Sequence, residues 1–338
     1  MHIPDGYLSP QTCVVMYAAA APFWYVAAQR VKKLLTGRMI PLIGIFAAFS
    51  FVIMMFNVPL PGGTTGHAVG GTLMAIVLGP WATVIGVTIA LAVQAIFFGD
   101  GGILAFGANS FNMAVVLPFV GYAIYRLLSG TTPLTSSRRV IAAGIAGFVA
   151  LNAAAFLTAV EFGIQPALFH TADGTPLYGP YGLDVAIPAM MSGHIVIAGP
   201  VEGIVTALVM AYLQRANLPI LQLAEPNAPR ETLVGRVVTG PLWIGLAVLA
   251  LLSPLGLLAA GTAWGEWGTE ELVQLSGSVP QGLEHLSGLW RAPLPDYSLP
   301  SAEGPIAYIL SAIIGVLIIL AVILIVGRLL TRRRSSEQ

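Results

Sequence analysis

Charge and cysteine are both scarce in this chain. Charged residues make up only 9% of its 338 positions, while 57% are hydrophobic. A soluble domain carries roughly 25% charged residues, so this composition predicts a membrane protein that crosses the bilayer several times. The single cysteine, Cys13, excludes an intrachain disulfide and any cysteine-rich zinc or iron–sulfur site. The formal net charge of zero gives no reason to expect a nucleic-acid partner.

Motifs of common enzymes are also missing from the sequence. A phosphate-binding loop needs a lysine preceded by glycine. The only lysines here are Lys32, which follows Val31, and Lys33, which follows Lys32. The sequence contains no His-Glu-x-x-His zinc protease motif and no Gly-x-Ser-x-Gly nucleophile elbow. We therefore expect no enzymatic activity, no resident cofactor and no ATP hydrolysis by this chain.

Long apolar stretches divide the chain into membrane crossings. A helical crossing needs about 20 residues, and eight stretches qualify, at 12–29, 39–59, 81–98, 103–125, 140–163, 190–213, 240–260 and 305–327. The positive charges require one more crossing. Arg30, after the first crossing, should be cytoplasmic, so the second crossing returns the chain to the outside at Pro61. Arg126 should also be cytoplasmic, so an odd number of crossings must separate it from Pro61, and the stretches 81–98 and 103–125 supply only two. The shorter apolar run 67–79, closed by Pro80, is the predicted ninth crossing.

This arrangement accounts for the distribution of basic residues. All of the 15 lysines and arginines except Arg291 then lie on the cytoplasmic side. The protein is expected in the cell membrane, with its N-terminus outside and its C-terminus in the cytoplasm. Signal peptides carry positive charge before their apolar core, whereas this chain has none there, so residues 1–30 are expected to be retained.

The crossings group into two modules of an all-α integral membrane protein. The first seven form a predicted seven-helix bundle over residues 1–218, and residues 219–239, rich in proline and charge, form a predicted cytoplasmic linker. The second module, 240–338, has spans at 240–260 and 305–327 around an outer loop, 261–304. The acidic and aromatic residues of that loop are typical either of a docking or metal-gathering element or of a small folded loop.

The first two residues carry most of a transition-metal site. The α-amine of Met1, the backbone nitrogen of His2 and the His2 imidazole can close fused chelate rings around one ion, in one plane. His67, on a glycine-rich loop, is a donor for the fourth corner. Planar nitrogen ligands suit Ni(II) and Cu(II), with Co(II) next, rather than Mg(II) or Ca(II). The ordinary alternative is that His2 belongs to a disordered terminus.

Further polar residues are candidates for contacts around these ligands: Asp5, Asp100, Asn109, Asn112, His194 and Glu202. Each has an ordinary alternative. The glycine-rich run around Asp100 is typical of a tight turn. Asn109 and Asn112 either pin an inserted N-terminal loop or simply join helices. His194 and Glu202 lie roughly on one side of one span, as functional groups or as a packed pair in the bundle interior.

Three motifs of the first module occur together. They are Met-His-Ile-Pro-Asp-Gly-Tyr-Leu-Ser at 1–9, Thr-Gly-His at 65–67, and the run from Phe-Phe-Gly-Asp-Gly-Gly to Gly-Ala-Asn-Ser-Phe-Asn-Met at 97–113. Together they resemble the CbiM/NikM substrate-specific components of energy-coupling-factor transporters for cobalt or nickel. The resemblance covers about residues 1–215 and implies a seven-helix fold.

The same resemblance implies a set of ligands and partners. In that family the N-terminal amine, the amide and imidazole of the second residue, and a loop histidine bind the ion. Those residues correspond to Met1, His2 and His67 here. A transmembrane coupling component and an ATP-binding cassette ATPase, both on separate chains, are the implied partners.

The second module resembles the small companion component, CbiN or NikN. That component has two spans around an outer loop with a Pro-Asp-Gly-Leu-Glu motif. The corresponding stretch here is Pro280-Gln281-Gly282-Leu283-Glu284. Gln281 stands where the motif has Asp, so this chain lacks the carboxylate at that position.

These observations predict the metal-capturing subunit of an ATP-driven importer of Ni(II) or Co(II). A deprotonated amide and square-planar nitrogens favour nickel over cobalt by a small margin. Two alternatives remain open from the sequence. One is a self-sufficient secondary metal transporter, and the other is a membrane metal sensor that binds the ion without moving it.

Overall fold

The computed structural model describes residues 1–34, 39–60, 64–216, 218–222, 239–259, 272–274, 279–300, 302 and 304–335. Most of the predicted linker, 219–239, and part of the predicted outer loop, 261–304, lie outside these residues.

Helices make up most of both modules. The first contains α1 Pro10–Leu34, α2 Met39–Met54, α3 Gly71–Leu78, α4 Pro80–Val93, α5 Phe106–Asn109, α6 Leu117–Ser129, α7 Ser137–Gly163, α8 Gln165–Leu168, α9 Leu183–Gly193, α10 Gly199–Ala216 and α11 Leu218–Gln222. The second contains α12 Gly240–Leu252, a 3-10 segment Ser253–Leu258, α13 Gln281–Leu286, a 3-10 turn Pro295–Tyr297 and α14 Gly304–Ser335. The predicted all-α class is confirmed.

Three π-helical segments extend or join the α-helices of the first module. They are Gln94–Phe98 after α4, Ser110–Val116 between α5 and α6, and His194–Ala198 between α9 and α10. Such segments occur mostly as single wide turns inside α-helices, frequently at functional sites. Each of the three lies next to or contains a polar residue that the sequence singles out.

A short antiparallel hairpin follows α2. Strand β1, Val58–Leu60, pairs with β2, Thr64–Gly66, and Val58 lies opposite Gly66. The predicted span 39–59 was therefore wrong at its C-terminal end, because α2 stops at Met54. Pro59 in this stretch cannot continue a helix without losing a backbone hydrogen bond. The hairpin delivers the chain directly to His67.

Six helical stretches of the described chain are long and apolar enough to cross a membrane: Pro80–Phe98, Phe106–Ser129, Ser137–Leu168, Leu183–Ala216, Gly240–Leu258 and Gly304–Leu329. Helix α2 is a shorter apolar helix. Of the nine predicted crossings, three are not among the six: 12–29, 39–59 and 67–79. Length and composition therefore establish a multi-pass membrane protein without reaching the predicted number of spans.

Helix α3 lies in the predicted ninth crossing and has only eight residues. It is about 12 Å long, and all of its residues are buried against neighbouring helices. Ile76 in α3 lines a crevice with Arg126 and Arg139, whereas His67, just before α3, lies beside His2. The segment therefore leads from the histidine pair toward the end of the bundle that carries Arg126. Within the hydrocarbon region of a membrane, irregular backbone is tolerated only when protein encloses it, as the neighbouring helices enclose α3.

Candidate metal centre

The residues before α1 fold into the protein rather than forming an exposed tail. Met1, His2 and Ile3 are only 2%, 3% and 0% exposed. Chain ends are poorly ordered unless specific contacts hold them. The disordered-terminus alternative is therefore wrong for this structure.

Asn109 holds the N-terminal segment at Ile3. The Ile3 N–H donates to Asn109 Oδ1 at 2.8 Å, and Asn109 Nδ2 donates back to the Ile3 carbonyl at 3.0 Å. The N–H of Gly102 donates to the same carbonyl at 2.8 Å. Because both main-chain groups of Ile3 are paired, the position of the adjacent His2 is fixed. Of the two alternatives for Asn109, pinning an inserted loop is the one observed.

Asp5 makes a second anchor. Its carboxylate accepts hydrogen bonds from the N–H groups of Ile103, Leu104 and Ala105, at 3.0, 2.8 and 3.2 Å. Burial raises the pKa of the Asp5 carboxyl above its ordinary value, although the three N–H groups offset part of that rise. The segment 1–5 is thus tied at two points to the chain that follows Asp100.

Glycine permits this close approach. A Cβ at Gly102 would collide with the Asp5 carboxylate. Gly101 has a φ of +92°, a backbone conformation that residues with a side chain rarely adopt. The tight-turn interpretation of the run around Asp100 was therefore incomplete. The run is a turn, and it also receives the N-terminal segment.

Two buried histidines meet next to this segment. The ring centroids of His2 and His67 are 4.7 Å apart, and the rings are tilted by 39°. In the described structure, neither the His2 Nε2 nor the His67 Nε2 has a hydrogen-bond partner. A buried polar atom without a partner is costly, and a transition-metal ion is a partner that suits two imidazole nitrogens.

The two imidazoles differ in their second nitrogen. His2 Nδ1 is hydrogen-bonded to Asp100 Oδ1, whereas His67 Nδ1 faces the carbonyl oxygen of Ala68 at 3.2 Å. A chelate ring that includes the His2 amide nitrogen must close through Nδ1 of the same residue. The His2 ring must therefore turn about its Cβ–Cγ bond to release Nδ1 from Asp100 when it chelates an ion.

The main chain is needed to complete a ligand set here. Within the described part of the chain, no three His, Cys, Asp or Glu side chains form a cluster suited to a metal ion. The predicted site uses only two such side chains, those of His2 and His67. The α-amine of Met1 lies near enough to His67 for their charges to interact. The predicted amine, amide and imidazole donors thus come from one small region.

Glu202 orients the loop that follows His67. The carboxylate accepts the Val69 N–H at 2.7 Å and the Gly70 N–H at 3.0 Å, while Ser50 Oγ donates to the Val69 carbonyl at 2.7 Å. Glu202 lies on α10 and is 0% exposed. Glu202 is therefore more than a packing residue of the bundle interior, because its carboxylate fixes the backbone beside a predicted ligand.

His194 begins the third π-helical segment and is buried. Its Nδ1 pairs with the carbonyl of Met190 at 2.8 Å, and its Nε2 has no partner among the residues described. The segment 194–198 contacts the hairpin that precedes His67. His194 is thus near the candidate site, and its Nε2 is available for a further contact.

Asn112 does not belong to the site. Its Nδ2 donates to Thr158 Oγ1 at 3.1 Å and to Glu161 Oε2 at 2.9 Å. It joins two helices, which is the other alternative considered for the asparagine pair. The prediction that Asn112 lies around the metal ligands was wrong, because its position three residues after Asn109 turns it toward α7. Glu161, which accepts the hydrogen bond from Asn112, is only 7% exposed.

Asp100 accepts hydrogen bonds from both modules. Gln94 Nε2 donates to its Oδ2 at 3.0 Å, and Tyr297 Oη donates to the same oxygen at 2.5 Å. Burial alone would raise the pKa of Asp100, yet the attraction of His2 and the hydrogen bonds from His2 and Tyr297 hold that pKa well below its ordinary value. Burial and the charge of Asp100 raise the pKa of the Tyr297 hydroxyl well above its ordinary value. The tyrosine hydroxyl therefore stays protonated and donates a hydrogen bond to Asp100.

The motif-like stretch of the second module lies on the N-terminal segment. The Gly282 N–H donates to the Leu177 carbonyl at 2.7 Å, and Leu283 is buried against Gly6. Gln281, which stands where the motif has Asp, is exposed on the first turn of α13. The contacts of this stretch are therefore made by its glycine and leucine rather than by the substituted residue.

A cavity of about 340 Å³ opens beside the histidine pair. His2, His67 and Asp100 line it from the first module, and Asp296 and Tyr297 line it from the second. The space next to the candidate ligands is thus shared between the two modules.

Sequence reasoning missed Gln94 and Tyr297. A lone glutamine in an apolar helix such as α4 and its π-helical extension is a usable signal, because a buried amide must find partners. Tyr297 gave no comparable signal, since aromatic residues are common in outer loops. Its contact with Asp100 joins positions 197 residues apart.

Comparison with known proteins gives the family of each module. Residues 2–219 match the CbiM family, described as a cobalt uptake substrate-specific transmembrane region, and residues 240–332 match the PDGLE domain. A fused nickel transport protein, NikMN, of Rhodobacter capsulatus is 52% identical over 98% of this chain and 99% of its own length. A probable fused nickel transport protein, LarMN, of Lactiplantibacillus plantarum is 46% identical over 96% of each chain.

A solved structure also matches the first module. A truncated transition metal transporter is 59% identical to this chain, with a TM-score of 0.60, and covers 64% of this chain and 99% of its own. With a family match over most of the first module and full-length relatives of the same two-part organisation, the chain belongs to the CbiM family of nickel and cobalt transport proteins, with a PDGLE domain at its C-terminal end.

Proposed function

We propose that this chain is the substrate-capture subunit of an ATP-driven, energy-coupling-factor importer of Ni(II) or Co(II). The ion binds to the α-amine of Met1, the amide nitrogen and imidazole of His2, and the imidazole of His67. The observation that carries the proposal is the buried N-terminus, which brings the ring of His2 within 4.7 Å of the ring of His67, whose Nε2 has no partner in the described residues.

Nickel is the preferred substrate in this proposal. Four nitrogens in a plane, one of them a deprotonated amide, suit Ni(II) better than Co(II). The names of the relatives from Rhodobacter capsulatus and Lactiplantibacillus plantarum, both nickel transport proteins, support the same choice. Because the ligands must lose protons to bind, capture releases protons to the medium.

The partners in this proposal are separate chains. A transmembrane coupling component and an ATP-binding cassette ATPase supply the energy and reorient the pocket, since this sequence has no phosphate-binding loop. The N-terminus faces the outside and the C-terminus faces the cytoplasm. This orientation rests on the basic residues, which then lie inside except for Arg291.

Two other functions would give different transport results. A secondary transporter would continue uptake after ATP depletion and stop when the proton gradient collapses. A metal sensor would bind nickel but produce no uptake with any coupling component and ATPase. ATP-dependent uptake in the presence of both partners supports the proposed function and excludes these two.

Blocking the amine tests the ligand set. We expect a tag of several residues placed before Met1 to weaken nickel binding strongly, because the Met1 nitrogen becomes a peptide nitrogen that must lose its own proton before it can bind the ion. The matched control carries the same tag after Gln338. Nickel titration calorimetry and thermal melting are compared for the two proteins. Equal nickel affinity in both would show that the amine is not a ligand.

Cysteine labelling tests the orientation. In a Cys13→Ala background, a cysteine at Ser278 should react with an impermeant reagent added outside, and cysteines at Thr135 and Ser335 should react only from inside. External labelling at Thr135 would mean that the segment 67–79 does not complete a crossing.

A further inference from the structure

The outer loop of the second module is attached next to Asp100. The Leu294 N–H donates to the Phe97 carbonyl at 2.9 Å, and Trp290 Nε1 donates to the Ile96 carbonyl at 3.0 Å. Both carbonyls belong to the π-helical segment Gln94–Phe98, which ends at Phe98, and the last carbonyls of a helix have no partner within the helix. The loop is thereby held against Ile96 and Phe97, shortly before Gly99 and Asp100 in the chain.

Tyr297 of this loop reaches into the first module. It is 7% exposed, and its ring stacks on Phe98 with centroids 4.8 Å apart. Its own carbonyl accepts a hydrogen bond from Ser311 Oγ at 2.7 Å. Its φ of 58° is unusual for a tyrosine, and such a backbone conformation persists only where surrounding contacts enforce it.

The hydroxyl of Tyr297 completes a chain of contacts that ends at a proposed ligand. Asp100 uses Oδ2 for Tyr297 and Gln94, which leaves Oδ1 for the His2 ring. A histidine that binds a metal through one nitrogen almost always donates its other ring N–H to a carboxylate or carbonyl. When the His2 ring turns to place Nδ1 on the ion, Nε2–H moves to the side that faces Asp100.

We propose that Tyr297 is a positioning residue for metal capture. It fixes the carboxylate of Asp100, and Asp100 in turn orients the His2 imidazole, so the second module completes the metal pocket of the first. This inference rests on the proposed function, because it assumes that His2 is a ligand. It assigns the second module a direct effect on metal affinity, separate from any contact with the coupling component.

The physical basis is preorganisation. A carboxylate that is already held in place loses less conformational freedom when it orients a ligand, so binding keeps more of its favourable free energy. Removing the Tyr297 hydroxyl leaves Gln94 as the remaining donor described on Oδ2, and Gln94 alone constrains the carboxylate less. Outer partners of this kind typically change metal affinity by about 10–100-fold when they contact the ligand directly. Tyr297 is one contact further away.

The test compares Tyr297→Phe with Tyr308→Phe in the full chain in detergent. Tyr308 packs beside Tyr297 with ring centroids 5.4 Å apart, but its hydroxyl donates to the Met55 carbonyl at 2.8 Å. Each variant loses one buried hydroxyl of the second module. We expect the Kd for Ni(II) to rise roughly threefold to tenfold for Tyr297→Phe and to stay unchanged for Tyr308→Phe, by titration calorimetry with NiCl₂. The nickel absorption band should broaden only in the first.

A double-mutant cycle distinguishes positioning from general loosening. Asp100→Asn should weaken binding more than Tyr297→Phe, and adding Tyr297→Phe to Asp100→Asn should cause no further loss. Equal Kd values for Tyr297→Phe and the unmodified chain, or a full additional loss in the Asp100→Asn background, would overturn the proposal. A chain that binds no nickel before any substitution would instead overturn the proposed function, so the two failures differ.

Discussion

The two modules differ in how far the rest of the protein buries their membrane helices. Between 33% (Leu183–Ala216) and 61% (Pro80–Phe98) of the residues are buried in the apolar windows of the first module's spanning helices, against 22% in Gly240–Leu258 and 28% in Gly304–Leu329. The first module is thus a packed bundle, whereas the second lies along its side with α14 against α2. Large apolar side chains such as Ile244 and Leu317 remain 67% and 60% exposed, as is suitable for lipid or a membrane partner.

The difference teaches where each module exerts its effect. The first contributes buried nitrogen donors and the anchors that hold them. The second contributes few buried residues, but Leu283 and Tyr297 of its outer loop are 4% and 7% exposed and contact the N-terminal segment or Asp100. We therefore expect substitutions in the first module to change metal binding most, and substitutions in the second to matter only at these contacts.

The largest expected effect is at His67. His67→Ala removes a proposed ligand and should weaken nickel binding by more than roughly a hundredfold, beyond the loss typical of residues that only support a ligand. Titration calorimetry and the nickel absorption band measure it. His285→Ala, on the exposed face of α13, is the control and should change neither. Similar behaviour of the two variants would mean that the fourth ligand lies elsewhere.

The asparagine pair offers a comparison within the first module. Asn109→Ala should weaken nickel binding about 10–100-fold, because His2 loses the anchor at Ile3. Asn112→Ala should lower the free energy of unfolding by about 1–3 kcal/mol, because Glu161 loses a partner, with nickel affinity retained. Thermal melting and calorimetry on both variants separate the two effects. A loss of affinity in Asn112→Ala alone would reverse the assignment.

Glu202 should show a mixed effect. Glu202→Ala leaves the N–H groups of Val69 and Gly70 without their acceptor, which costs about 1–3 kcal/mol of unfolding free energy. Nickel affinity should fall by up to roughly tenfold, because His67 is less well oriented. Glu202→Gln retains one acceptor oxygen and should recover most of both losses. If Glu202→Ala lowers stability without affecting affinity, the carboxylate has only a packing role.

The smallest expected effect is at the motif position of the second module. Gln281→Asp restores the carboxylate of the Pro-Asp-Gly-Leu-Glu motif at the start of α13. An acidic residue there should stabilise the protein by at most about 0.3–1 kcal/mol through the helix dipole. Nickel affinity should not change, because this side chain is exposed. A clear gain in affinity would show that the carboxylate itself acts on the metal site.

Hydropathy and charge predicted much of the fold because they report on the solvent around each segment. The long apolar stretches reappear as helices, including α7 and α14. The end of α2 was predicted wrongly because apolar residues continue into β1, and only Pro59 signalled the change. The candidate ligands could also be named from the sequence. Met1, His2 and His67 carry chemistry that is unusual at a chain end and in a glycine-rich loop.

Which polar residues meet was not predictable from their spacing. Asn109 and Asn112 look alike in the sequence, yet one holds Ile3 and the other holds α7. The direction in which a helical residue points depends on the local winding, and both asparagines lie at or near a π-helical segment that alters it. Spacing rules for a regular helix therefore could not separate them.

Residue composition and the order of residues decide that this chain enters a membrane and that the proposed nitrogen ligands include its first two residues. The cost of placing charge and open backbone in lipid makes the first outcome independent of packing detail. Contacts across long sequence distances, such as His2 with Asp100 and Asp100 with Tyr297, arise only when the helices pack. They depend on where each backbone places its side chain in three dimensions, and neighbouring residues carry no information about that.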